Sequence, residues 1–94
     1  MALYLVSYDI NEKNREEYEG LWAELKTLRA TKILYSEYLV VRPTGEAKNL
    51  YNTLTFEIKT NDRLLVQEVL ADAHWDKLLI SDDEMRRFLK SARR

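Results

Sequence analysis

The stretch LYLVSYDI, at residues 3–10, is apolar on both faces of an extended chain, and it constrains the fold more than any other segment. Successive side chains of a strand point to opposite faces. The stretch therefore divides into two sets, Leu3, Leu5, Ser7 and Asp9 on one face and Tyr4, Val6, Tyr8 and Ile10 on the other. Two apolar faces are typical of a central strand that is covered on both sides of its sheet. We predict such a strand, with Ser7 and Asp9 at the carboxyl end of one face.

Apolar residues at helical spacing predict three helices. The first begins at Asn14, which forms a capping box with Glu17, and its apolar stripe comprises Tyr18, Leu21, Trp22, Leu25 and Leu28. The second is capped by Thr44, and its inner face comprises Ala47, Leu50, Tyr51, Leu54 and Ile58. Part of it, TLTFEI at residues 53–58, also alternates as a strand does. The third begins at a capping box of Ser81 and Glu84, with Met85, Phe88 and Leu89 facing inward.

Three further strands are predicted from β-branched and aromatic runs. TKILYSEYLVVR, at residues 31–42, is too long for one strand of about 5 to 6 residues. We expect a tight hairpin near Ser36 and Glu37 to divide it, and Pro43 to end it. The segment TND at residues 60–62 is a turn signal, and RLLVQEVL after it reads as the last strand.

The order of these elements predicts an α+β fold in a single domain over residues 1–94. It fits a ferredoxin-like βαββαβ sandwich with an additional C-terminal helix, in which two helices cover one face of a four-stranded antiparallel sheet. The other sheet face then needs a partner or the terminal helix to cover it.

Composition excludes several classes of function. The chain has no cysteine and one histidine, so thiolate metal sites, cysteine nucleophiles and a histidine-based zinc site are excluded. The formal net charge is −1, which gives no general basic excess for nucleic-acid binding. No segment approaches the roughly 20 apolar residues of a membrane span, and the N-terminus has no signal-type leader. We expect a cytoplasmic protein with no membrane partner.

Three segments, LVSYDI, ILYSEYLVV and NLYNTLTFEIKTNDRLLV, resemble the CRISPR-associated Cas2 family, and more closely its stand-alone SinR-like relatives. The resemblance implies a ferredoxin-like protomer that forms a homodimer across the open sheet face. It also implies Mg²⁺ or Mn²⁺ held by the aspartate that ends the first strand, together with its symmetry mate. Asp9 matches that aspartate, and Ser36 matches a serine of the family's second motif.

The resemblance makes Asp9 the expected catalytic and metal-binding residue, with no other cofactor. The basic residues predicted to contact nucleic acid are Lys13, Arg15, Arg86 and Arg87. The leading hypothesis is a Cas2-like nucleic-acid-associated protein, a divalent-metal-dependent endonuclease acting at the dimer interface, on RNA or DNA and with an undetermined integrase-type partner. The alternative is a non-catalytic homodimeric interaction or adaptor module on the same fold, which the acidic first helix favours. For Asp9 itself, the alternative to metal binding is that it accepts hydrogen bonds from the turn after it, and for the basic C-terminus, the alternative to phosphate contact is a solvated helix end.

Overall fold

The computed structural model describes residues 1–10 and 16–92 of the chain. It contains a four-stranded antiparallel sheet and three helices, and the elements follow one another as β1 (Ala2–Asp9), α1 (Glu19–Thr27), β2 (Thr31–Leu34), β3 (Glu37–Arg42), α2 (Ala47–Thr55), β4 (Arg63–Val69) and α3 (Asp82–Leu89). The strand order is β2-β3-β1-β4. The fold is therefore α+β, and β1 lies inside the sheet, as its two apolar faces predicted.

The two faces of the sheet carry two separate apolar clusters. Helices α1 and α2 cover one face, where the buried residues are Ala2, Tyr4, Val6, Tyr8, Tyr18, Leu21, Leu25, Val40, Leu50 and Leu54. The second cluster is smaller and comprises Leu3, Ile33, Leu39 and Met85, with partly buried residues from the C-terminal segment packed against it. Both β1 and β3 contribute buried residues to each cluster, and β1 contributes the most.

The C-terminal segment covers part of the sheet face that α1 and α2 leave free. The backbone N–H of Leu79 donates to the carbonyl of Ile33 at 2.9 Å, which ties the segment to the edge strand β2. Trp75 and Phe88 pack against the second cluster, and Met85 of α3 is buried in it. The sequence left two possible covers for this face, a partner or the terminal helix. The terminal helix covers the end of the face near Leu3.

Several predicted boundaries are shifted. The turn between β2 and β3 lies at Tyr35 and Ser36, one residue before the predicted position, because Glu37 is already paired with Ser7 as the first residue of β3. Residues 16–18 form a short 3₁₀ turn before α1 begins at Glu19, and Asn14 lies outside the described residues.

The predicted cap of α2 is wrong. The helix begins at Ala47, two residues later than a Thr44 cap would place it, and Glu46 occupies the N-cap position without a side-chain capping bond. By contrast, the predicted cap of α3 is confirmed: Ser81 Oγ accepts the backbone N–H of Glu84 at 3.1 Å.

Candidate functional site

Asp9 ends β1 and faces a cation on the neighbouring strand. The register of β1 and β4 places Asp9 directly opposite Arg63, the first residue of β4. Arg63 Nη1 lies 2.9 Å from Asp9 Oδ2, which is both a hydrogen bond and an ion pair. The two side chains are 70% and 81% exposed, for Asp9 and Arg63 respectively, so the pair is at the surface and accessible to solutes.

A second polar pair lies beside it on the same sheet face. Ser7 Oγ donates to Glu37 Oε2 at 3.1 Å across the β1–β3 pairing. The carbonyl of Ser36 accepts the backbone N–H of Tyr8 at 3.1 Å. The two positions that carry the family resemblance, Asp9 and Ser36, are thus brought to the same end of the sheet.

The surface next to these pairs is the part of the sheet that α3 does not cover. One residue from each strand forms a row across it, which we call the open row: Leu34, Glu37, Ser7 and Leu65, in the order β2, β3, β1 and β4. Leu34 is 41% exposed and Leu65 is 51% exposed. The open row therefore has a polar centre and two exposed apolar ends.

An apolar cleft continues this surface towards α3. The cleft has a volume of about 440 Å³ and lies between the sheet and the C-terminal segment, and its lining includes Leu5, Leu39, Gln67, Leu70, Met85 and Leu89. Leu70 is 66% exposed at its mouth. Together, the cleft and the open row leave a considerable apolar area of this face in contact with solvent.

The described residues around Asp9 do not make a metal site within one protomer. Among residues 1–10 and 16–92, no group of three or more His, Cys, Asp or Glu side chains is close enough together to hold a metal ion. Mg²⁺ and Mn²⁺ prefer several oxygen ligands, and Mg²⁺ in particular is bound through one or two carboxylates plus substrate oxygens. Asp9 offers one carboxylate, and that carboxylate already contacts a guanidinium. The side chains that the structure describes in one protomer do not by themselves fit a resident divalent metal.

Of the residues predicted to bind nucleic acid, the two that the structure describes lie on α3, away from Asp9. Lys13 and Arg15 lie outside the described residues. Arg86 and Arg87 are exposed on α3, where Arg86 pairs with Asp83 at 3.2 Å. The neighbouring residue, Met85, packs in the cluster of Leu3.

That packing places α3 at the opposite end of β1 from Asp9. Asp9 follows Leu3 by six residues, and a strand rises about 3.3 Å per residue, so roughly 20 Å of β1 separates them. Arg86 and Arg87 therefore do not belong to the same local site as Asp9.

Arg63 is the residue at this site that sequence reasoning missed. A usable signal was present, because Asp9 lies at the end of one predicted strand and Arg63 is the first residue of another. In an antiparallel pair, the end of one strand lies beside the start of its partner. Local sequence patterns do not show that β1 pairs with β4.

Comparisons with known proteins add no family assignment. The chain matches no protein-family model, and a search of curated proteins gives no significant match. Within the described part of the chain, none of the helices has the length and apolar character needed to cross a membrane.

Proposed function

We propose that this protein is a non-catalytic homodimeric interaction module with a ferredoxin-like fold, and that two copies pack through the open row. The fold assignment is supported by the element order βαββαβ, by the strand order β2-β3-β1-β4 and by the two helices on one sheet face. The observation that carries the functional proposal is the open row, with its exposed Leu34 and Leu65 beside an apolar cleft.

The open row is complementary to itself. A two-fold axis that lies in the interface and runs parallel to the strands reverses the row of the second copy. Leu34 of one copy then faces Leu65 of the other, and Glu37 faces Ser7, so that apolar ends meet apolar ends and the polar centres meet each other. Symmetric interfaces of this kind use the same patch on both subunits.

The energetics of a small domain also favour a dimer. A chain of 94 residues buries a smaller fraction of its surface than a larger domain does, and its stability is correspondingly small. Each square ångström of apolar surface removed from water contributes about 25 cal/mol. Covering Leu34, Leu65 and the mouth of the cleft therefore stabilises the dimer relative to two separate protomers.

Light scattering coupled to size exclusion tests this proposal. We expect a molar mass about twice the chain mass of 11.2 kDa at micromolar concentration. Leu65→Lys should produce the monomer, because it places a charge at an apolar end of the open row. Phe56→Lys is the matched control, since Phe56 is 85% exposed at the end of α2, on the opposite side of the sheet. A monomeric wild-type protein, or equal dissociation of both variants, would contradict the proposal.

A Cas2-like nucleic-acid-associated protein, acting as a divalent-metal-dependent endonuclease at the dimer interface, is the second candidate. It is favoured by the position of Asp9 on the same sheet face as the open row, because packing across that face adds a second carboxylate. Incubation of labelled RNA and DNA with Mg²⁺ or Mn²⁺ at low salt separates the candidates. Cleavage that Asp9→Asn abolishes would establish the endonuclease, whereas the interaction module gives neither cleavage nor salt-dependent binding.

A further inference from the structure

We propose that Arg63 is the resident cation of Asp9 and that its guanidinium competes with divalent metal ions for this carboxylate. The contacts between Asp9 and Arg63 lie within a single protomer, so this competition does not depend on the dimer proposed above. It also gives Arg63, which sequence patterns did not single out, a specific chemical role.

The β1–β4 ladder holds the two side chains together. Asp9 and Arg63 are directly opposite one another, and six further residue pairs between Leu3 and Tyr8 of β1 and Leu64 and Val69 of β4 keep the strands in register. Directly opposite residues in an antiparallel pair have Cβ atoms about 4.5–5.5 Å apart. The ion pair therefore follows from the sheet register, which already places the two side chains next to each other.

The turn before β4 is also held in place. Asp62, the residue before Arg63, accepts the hydroxyl of Tyr18 at 2.7 Å and the backbone N–H of Lys59 at 2.8 Å, both on Oδ2. The first contact ties the turn to the start of α1, and the second closes the turn on itself. Both contacts fix the backbone from which the Arg63 side chain extends towards Asp9.

The chemistry of the two groups explains why they compete with a metal. The guanidinium of Arg63 places a positive charge beside the Asp9 carboxylate. A divalent cation that binds Asp9 must displace the guanidinium or share the carboxylate with it, and it suffers repulsion from that charge in either case. Both side chains are largely exposed, so the two cations exchange at the surface. The effect of the guanidinium on metal affinity is therefore modest.

Paramagnetic broadening of amide resonances by Mn²⁺ measures this competition directly. The probe is Mn²⁺ alone, added to the ¹⁵N-labelled chain, and the signals are the amides of Tyr8, Asp9 and Ile10. We expect Arg63→Gln to bind Mn²⁺ at this position about fivefold more tightly than the wild type, the upper end of the range for an exposed ion pair. The added Asp9→Asn substitution should abolish the local broadening.

Arg86→Gln is the matched control for the loss of one positive charge. Arg86 is also exposed and also paired with a carboxylate, that of Asp83, but it lies on α3. It should leave Mn²⁺ binding at Asp9 unchanged. Equal Mn²⁺ affinity in the wild type and Arg63→Gln, or no broadening near Asp9 in either, would overturn the proposal. A monomer in the light-scattering experiment would contradict the dimer and leave this result unaffected.

Discussion

The hydroxyl of Tyr18 donates a 2.7 Å hydrogen bond to Oδ2 of Asp62, which lies 44 residues further along the chain. Tyr18 is 1% exposed, so this bond links a buried aromatic ring at the start of α1 to the surface turn before β4. The same carboxylate oxygen accepts the backbone N–H of Lys59. One side chain thereby joins the first helix to the strand that carries Arg63.

Asp62→Ala should lower the free energy of unfolding by about 1 to 3 kcal/mol, because it removes the acceptor of two hydrogen bonds. One of the two donors is the hydroxyl of a buried tyrosine, and its bond to a carboxylate is charge-assisted. Asp62→Asn should lower it by less, since the amide keeps one acceptor oxygen. Urea unfolding followed by circular dichroism gives both values from the shift in midpoint. Two variants of equal stability to the wild type would show that the turn does not depend on this carboxylate.

Tyr4→Phe should also destabilise the protein. The Tyr4 hydroxyl donates to the carbonyl of Pro43 at 2.8 Å and accepts the N–H of Glu46 at 3.0 Å, so it holds the loop before α2 from within the core. Two hydrogen bonds of ordinary strength predict a loss of about 1 to 2 kcal/mol. The measurement is again the urea midpoint.

Tyr35→Phe serves as the control for that experiment. It removes the same hydroxyl from a tyrosine that is 80% exposed, and its stability should match the wild type. A Tyr4→Phe protein as stable as Tyr35→Phe would contradict the role assigned to the buried hydroxyl.

The two predicted helix caps give a direct comparison. Ser81→Ala should lower the free energy of unfolding by about 1 kcal/mol, because Ser81 caps α3 through its hydroxyl. Thr44→Ala should have almost no effect, since Thr44 precedes the N-cap position of α2 and makes no capping bond there. Thermal melts of both variants at the same protein concentration measure the two changes in stability. Equal losses would mean that Thr44 acts as a cap after all.

The failure of the Thr44 prediction has a specific cause. Local sequence places a threonine suitably before an apolar periodic run, and that pattern is sufficient to predict a cap. In the structure the Tyr4 hydroxyl binds the N–H of Glu46, 42 residues away in sequence, and α2 begins just after it. A contact between residues so far apart leaves no trace in local periodicity, whereas the Ser81 cap depends only on a residue three positions later.

The same distinction explains what could be predicted of the candidate site. The alternation of LYLVSYDI correctly placed Ser7 and Asp9 on one face at the end of β1, because side-chain period is a local property. The partners of these residues, Glu37 and Arg63, depend on strand pairing and were not predicted. The partial cover of the face by α3 was left open, since the sequence offered both a helix and a partner for it.

Intermolecular contacts across the open row would show the proposed dimer itself. In a sample that mixes ¹³C-labelled and unlabelled protein, isotope-filtered NOE spectra record only contacts between different copies. We predict such contacts between the methyl groups of Leu65 and those of Leu34, as the reversed packing of the open row requires. Intermolecular contacts confined to Tyr51 and Phe56 on the α2 side, or the absence of any intermolecular contact at millimolar concentration, would contradict the account.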